Sequence, residues 1–205
     1  MYQITMLHKA IADFILEYQS NPFNFLFERD LQSLLFATAY KRFTKVKIRM
    51  RGGYHGLEAY GGKDYIETIP IKCEYPTSRI FDIAMIDAEL VEGYDPAVWQ
   101  RHNWKNDRFW DQRVRAAIEL KYLQLGDANS RKAVDVSIDV NKLTDYRKES
   151  PRRRFLGISL TCIQSAKLDA RPFCVGEPLM SQRYMPQTGI YRYVVTPTAT
   201  MRFEA

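Results

Sequence analysis

Along residues 3–19 the side chains Ile4, Leu7, Ile11, Phe14, Ile15 and Tyr18 recur every three or four positions, the spacing of one helix face. Asn21-Pro22 breaks that pattern. A second helix is predicted from about residue 23 to residue 43, with Phe27, Leu31, Leu34, Leu35 and Ala39 on one side. Residues 45–50 then alternate strictly, Val46, Ile48 and Met50 against Lys45, Lys47 and Arg49. That is the period of a half-exposed strand with a cationic outer face. Five of the ten glycines (Gly52, Gly53, Gly56, Gly61 and Gly62) mark 51–64 as a loop or irregular hairpin. Strands are expected over about 65–75 and 79–87. Asp95-Pro96 pairs a capping carboxylate with proline at the first helical position, which predicts an inserted helix near 96–111. The run VRAAIELKYL within 113–123 is the clearest buried strand.

Between 133 and 148 two periods compete. Val134, Val136, Ile138 and Val140 alternate like a strand, whereas Ala133, Val136, Val140 and Leu143 fit a helix, and a helix over about 135–148 is favoured. Phe155 to Ile163 reads as another strand, and the tail beyond Pro172 as irregular with a hairpin strand near 189–195. No repeat or clean linker divides the chain. The order predicts one domain over 1–205 with an N-terminal helical segment at 1–22. Its class is α/β (α+β), a central mixed sheet flanked by helices.

Composition narrows the setting. The chain has 205 residues, 46% of them hydrophobic, and 27 aromatic side chains, which excludes disorder as the main state. Cys73, Cys162 and Cys174 form no CxxC pair and are odd in number, which argues for a reducing compartment and against a structural zinc site. No run of 18 apolar residues occurs, so no membrane partner is expected, and the location expected is cytoplasmic. The net charge of +6 is uneven. Residues 41–51 carry six cations and no anion, and 147–154 carry five cations against Glu149. Residues 79–95 carry five acids against Arg79. Positive flanks around an acidic stretch suit a polyanionic partner, because phosphate binding is largely electrostatic. Solvated surface faces would give the same counts.

Three places hold polar residues in apolar surroundings. In Glu119-Leu120-Lys121 the two charged side chains share one face of a strand, about 7 Å apart at Cα, while Ile118 and Leu120 point to the other. Taken alone, such a triplet is most often a strand-end salt bridge. Asp82 stands inside the apolar run of 79–87, where a carboxylate is unexpected unless it caps a turn, pairs with Arg79 or points into a site. Glu28 edges the apolar face of the second helix, with Asp30 on the opposite edge as its competitor. The three histidines, His8, His55 and His102, fall in no metal or triad spacing. Trp99, Trp104 and Trp110, interleaved with Arg101, Lys105 and Arg108, suit either an inserted core or base stacking.

A helix bearing Glu28, a strand opening with Asp82, a strand bearing Glu119-x-Lys121 and a helix containing DVNKL (Asp139 to Leu143) follow one another in an order that resembles the PD-(D/E)XK nuclease superfamily. The resemblance covers roughly residues 25–163. Phe81 replaces the proline of the motif, and Glu119 follows Asp82 by 37 positions. It implies a restriction-endonuclease-like fold and a metal-dependent nuclease that hydrolyses nucleic acid, DNA in preference to RNA. It also implies Mg²⁺, with Mn²⁺ able to substitute, held by Asp82, Glu119 and the backbone carbonyl of Leu120. Lys121 would orient or help deprotonate the attacking water, or stabilise the transition state, and Glu28 would hold a second metal or orient a water. Lys45, Lys47, Arg49, Arg51, Arg152, Arg153 and Arg154 are the expected nucleic-acid contacts. A homodimer is an expectation carried by the resemblance alone. The rival readings are a non-catalytic nucleic-acid-binding or scaffold domain of the same fold, and an unrelated small-molecule enzyme.

Overall fold

The computed structural model describes residues 2–49, 65–75, 79–86, 114–127, 129–149, 155–175, 177–178 and 188–204. Their elements, in chain order, are α1 (Tyr2–Ser20), α2 (Glu28–Arg42), β1 (Val46–Arg49), β2 (Tyr65–Thr68), β3 (Ile71–Tyr75), β4 (Phe81–Ile86), β5 (Val114–Leu123), α3 (Asn129–Glu149), β6 (Leu156–Ile163), β7 (Glu177–Pro178), β8 (Ile190–Val195) and β9 (Thr200–Glu204). Strands β1 and β2 form an antiparallel pair of their own, and the other seven make one sheet in the order β3-β4-β5-β6-β8-β9-β7. The sheet is mixed. β5–β6 and β6–β8 run parallel, and every other neighbouring pair is antiparallel.

Helices cover both faces, which explains the composition of the central strands. All residues of β6 and β8 are buried, as expected of parallel strands packed on two sides. Ile83, Met85, Ala116, Ile118, Leu120, Tyr122, Leu156, Ile158, Leu160 and Tyr191 join the buried faces of α1 and α2 in the main core. The opposite face carries α3. Leu143 and Tyr146 pack there with Ala84, Ala117, Phe155 and Ile190. Val136 packs further along with Leu123, Ile163, Phe173 and Val194. Between these two apolar seats the α3-facing surface is polar, with Ser159 beside Glu119 and Thr161 beside Lys121 in the β5–β6 register.

The expected mixed sheet with flanking helices is the observed class. Every predicted apolar position of α1 is buried. The second helix starts later than expected, at Glu28, after a 3₁₀ turn over Pro22–Asn24. Phe27, expected on its apolar face, is instead the exposed N-cap. The strand expected over 65–75 is two strands, β2 and β3, with Ile69 and Pro70 between them. The irregular tail holds a further strand, β9, paired with β8. The helical reading of 135–148 is correct: Val134 and Ile138, which made the segment alternate, face solvent. The inserted helix near 96–111 and its tryptophans lie outside the described residues. Among the described residues no helix is long and apolar enough to cross a membrane.

Gly157 sets the depth at which α3 lies. A Cβ there would meet Leu143 Cβ at 3.1 Å and Ile190 Cδ1 at 2.5 Å. The isoleucine tip can turn aside, but the Leu143 Cβ is fixed to the helix backbone. Gly157→Ala should therefore push α3 outward and cost about 1–3 kcal/mol, measured by urea denaturation. An unchanged midpoint would show that α3 has slack.

Candidate active site

The site forms where β4 stops short of β5. Antiparallel pairing runs Ile86↔Val114, Met85↔Ala116, Ala84↔Ala117 and Ile83↔Ile118, with an irregularity between Met85 and Ile86. The next pair in that register would set Asp82 opposite Glu119, with Cα atoms about 4.5–5.5 Å apart. There the ladder ends, while β5 continues to Leu123. The N–H of Leu120 donates instead to Asp82 Oδ2 at 2.7 Å, and that of Tyr122 to Glu28 Oε2 at 3.2 Å. Two carboxylates thus replace the missing strand. In a strand a residue's N–H and C=O point to the same side, so the Leu120 carbonyl opens on this edge as well.

Glu28 reaches the edge because the start of α2 is pinned to β5. The Tyr122 hydroxyl donates to the Phe25 and Pro22 carbonyls at 2.9 and 3.1 Å, and Gln124 Nε2 donates to the Leu26 carbonyl. Gln32, one turn further along α2, donates to the Asp82 carbonyl at 2.8 Å. One helix end therefore positions both acids. Asp30, the competitor of Glu28, is excluded from the site. Its Oδ2 accepts from the Leu26 and Phe27 N–H groups at 2.8 and 3.0 Å, which makes it the cap of α2. Arg79, a possible partner of Asp82, pairs with Glu149 instead.

Glu119 and Lys121 do share a face, and α3 supplies a partner to each. Lys121 Nζ lies 3.1 Å from Asp139 Oδ2 and 3.6 Å from Glu28 Oε1. Lys142 Nζ lies 2.6 Å from Glu119 Oε1 and also donates to the Ile80 carbonyl. Asp139 and Lys142 were not singled out as site residues by sequence. Their signal was their place between Val136 and Leu143, the two residues that seat α3 on the sheet.

Glu28, Asp82, Glu119 and Asp139 carry four formal negative charges against the two positive ones of Lys121 and Lys142, leaving −2. The ionisation behaviour follows. Burial pushes the Glu119 carboxyl up to about 8; Lys142 opposes that, and Asp82 and Asp139 add to it. Burial likewise raises Glu28, Asp82 and Asp139, against the pull of the lysines and of the Leu120 and Tyr122 N–H groups. For Lys121 burial pulls the pKa down, but Glu28, Asp139 and Asp82 outweigh it and hold the ammonium above its ordinary value. Among the described residues no three Asp, Glu, His or Cys side chains converge as a ready-made metal cage.

Of the expected nucleic-acid contacts, Lys45 is exposed, Lys47 and Arg49 lie on β1, and Arg51, Arg152, Arg153 and Arg154 fall outside the described residues. Other cations of the two basic segments have structural tasks. Arg42 grips Asp13 with two hydrogen bonds, at 2.6 and 3.0 Å. The Arg147 guanidinium fills the space over Gly189, whose φ of +77° also favours glycine. No protein-family model, no curated protein and no solved structure matches the chain.

A carboxyl whose folded pKa exceeds its unfolded value stabilises the fold most at low pH. For Glu119 that stability should be lost as pH rises from about 4.5 to about 8, because the folded state binds the extra proton in that window. Thermal unfolding in chelator should thus show Tm falling across this range, with a shallower slope in Glu119→Gln. Parallel slopes would contradict the assignment.

Proposed function

We propose that the chain is a metal-dependent nuclease of the PD-(D/E)XK, restriction-endonuclease-like type, hydrolysing phosphodiester bonds of nucleic acid, DNA in preference to RNA. The observation that carries this reading is the meeting of Glu28, Asp82, Glu119 and Lys121 at one sheet edge, drawn from α2, β4 and β5. Chance placement of four such residues over 94 positions gives no reason for them to meet.

The donor set suits a Mg²⁺ ion, or Mn²⁺ in its place. Mg²⁺ is commonly bound by one or two carboxylates and completes its shell with water and substrate phosphate. Asp82 and Glu119 are neighbouring hard oxygen donors, the Leu120 carbonyl opens beside them, and a bound divalent cation would favour the ionised form of the raised Glu119 carboxyl. Such an ion would supply Lewis-acid stabilisation of the phosphoryl oxygens and lower the pKa of the attacking water.

The chain's own residues do the rest. Lys121, steadied by Asp139, donates toward the water or a phosphoryl oxygen and offsets the charge that builds there. Glu28 fixes Lys121 from the other side and accepts from the attacking water or orients it. Lys45, just before β1, and Lys47 and Arg49 on it supply cationic contacts for the phosphate backbone.

A second reading, a nucleic-acid-binding or scaffold domain without cleavage, is favoured by one observation: Lys121 and Lys142 already neutralise part of the acidic set.

Plasmid and single-stranded DNA incubated with Mg²⁺ or Mn²⁺ separate the two. Glu119→Ala and Lys121→Ala should each lower cleavage at least about 100-fold, the scale of a lost charge-stabilising or acid–base group. Asp30→Asn should keep activity near wild type. Salt-sensitive DNA binding with no cleavage would establish the scaffold reading. Equal residual activity in all variants would place the chemistry elsewhere.

A further inference from the structure

Granting the divalent-cation reading of the site, we propose that Lys142 is its resident counter-ion, and that a divalent cation binds Glu119 only by expelling the Lys142 ammonium. The Lys142 Nζ sits 2.6 Å from Glu119 Oε1, donates to the Ile80 carbonyl, and lies 5.1 Å from the centre of the Phe81 ring. Ile80 and Phe81 immediately precede Asp82, so the ammonium is lodged against the mouth of the strand that carries the other ligand. Its surroundings of carboxylate, carbonyl oxygen and aromatic face are those any cation seeks.

The two lysines of the site are not equivalent. Lys121 is fixed between Glu28 and Asp139, neither of which opposes Asp82 in the strand register. Among the described residues Lys142 is the ion-pair partner of Glu119, which is 4% exposed and has little room for a second one. A cation bonded to Glu119 at about 2.0–2.6 Å would lie in contact with an ammonium at 2.6 Å, and two positive charges so close repel strongly. The lysine can leave without moving the backbone. It hangs from α3 on a flexible four-carbon stem, and its side chain is 29% exposed, so a path to solvent exists.

The sign of the mutational effect distinguishes this role from a supporting one. A residue that helps build a metal site weakens binding when removed, whereas a displaced counter-ion strengthens it. Calorimetric titration of the chelator-stripped full chain with Mn²⁺ should therefore show Lys142→Met binding about tenfold tighter than wild type, within the usual range of coupling between competing sites. Lys142→Gln, which retains a donor for the Ile80 carbonyl, should shift the same way and serves if the methionine variant does not fold. Unchanged or weaker Mn²⁺ binding in both variants, with wild type still binding, would overturn the displacement and leave the cation reading intact. No Mn²⁺ binding by wild type, either Lys142 variant or Glu119→Gln would overturn the cation reading itself. As a check on wild type, the lysine-ammonium NMR signal missing from Lys142→Gln should shift or vanish as Mg²⁺ saturates the protein. A signal unmoved at saturation would also overturn the displacement.

Discussion

Strand β5 is longer than its neighbour β4, and the rest of the site follows from that mismatch. Past Ile118 its edge presents the N–H groups of Leu120 and Tyr122 with no strand to receive them. A buried donor left without a partner costs about 1–3 kcal/mol. The fold satisfies both with carboxylates, one from the first residues of β4 and one from the first turn of α2. The device that finishes the sheet edge therefore gathers negative charge at one point. Glu28 and Tyr122 lie far apart in the chain and are held together by this need.

Gathering acids creates a second constraint. Burial pushes each of the four carboxyl groups toward its protonated form, and repulsion from nearby carboxylates adds to it. The lysines answer this from two directions, Lys121 within β5 and Lys142 from α3. The second is available only because α3 lies close to the sheet over Gly157. Packing and electrostatics are thus joined: the glycine that lets the helix approach also lets an ammonium reach Glu119. Removing Lys142 would take away a group that favours the ionised Glu119 and so push that carboxyl further toward its protonated form.

How much of this was legible in the sequence depended on the kind of signal. The period of α1 and the continuous apolar run of β5 were plain, because burial of one helix face or of a whole strand is written directly in residue type. Asp82, Glu119 and Lys121 stood out as charges inside apolar runs. The choice between Glu28 and Asp30 was not decidable from the helical wheel, since it turned on which residue caps the helix, and the helix begins five residues later than the apolar pattern suggested. Val134 and Ile138 imitated a strand because apolar residues on a solvent face carry no mark of their exposure. Asp139 and Lys142 stood in the DVNKL run but were not read as site residues, because charges on a helix usually face solvent. Only the position of Val136 and Leu143 against the sheet turns them inward.

The hairpin of β4 and β5 has two ends, and they differ in kind. The charged groups gather at the Phe81 end, while the connection from Ile86 to Val114 leaves from the other, about 13 Å away along the strand. The contacts that hold the charged groups come from α2 and α3: Gln32 and Lys142 donate to the Asp82 and Ile80 carbonyls, and Lys142 pairs with Glu119. The start of β4 is held at two successive points, the Ile80 carbonyl and both the carbonyl and the carboxylate of Asp82. One end of a single strand pair therefore carries the charge, and two helices from opposite faces of the sheet hold it there.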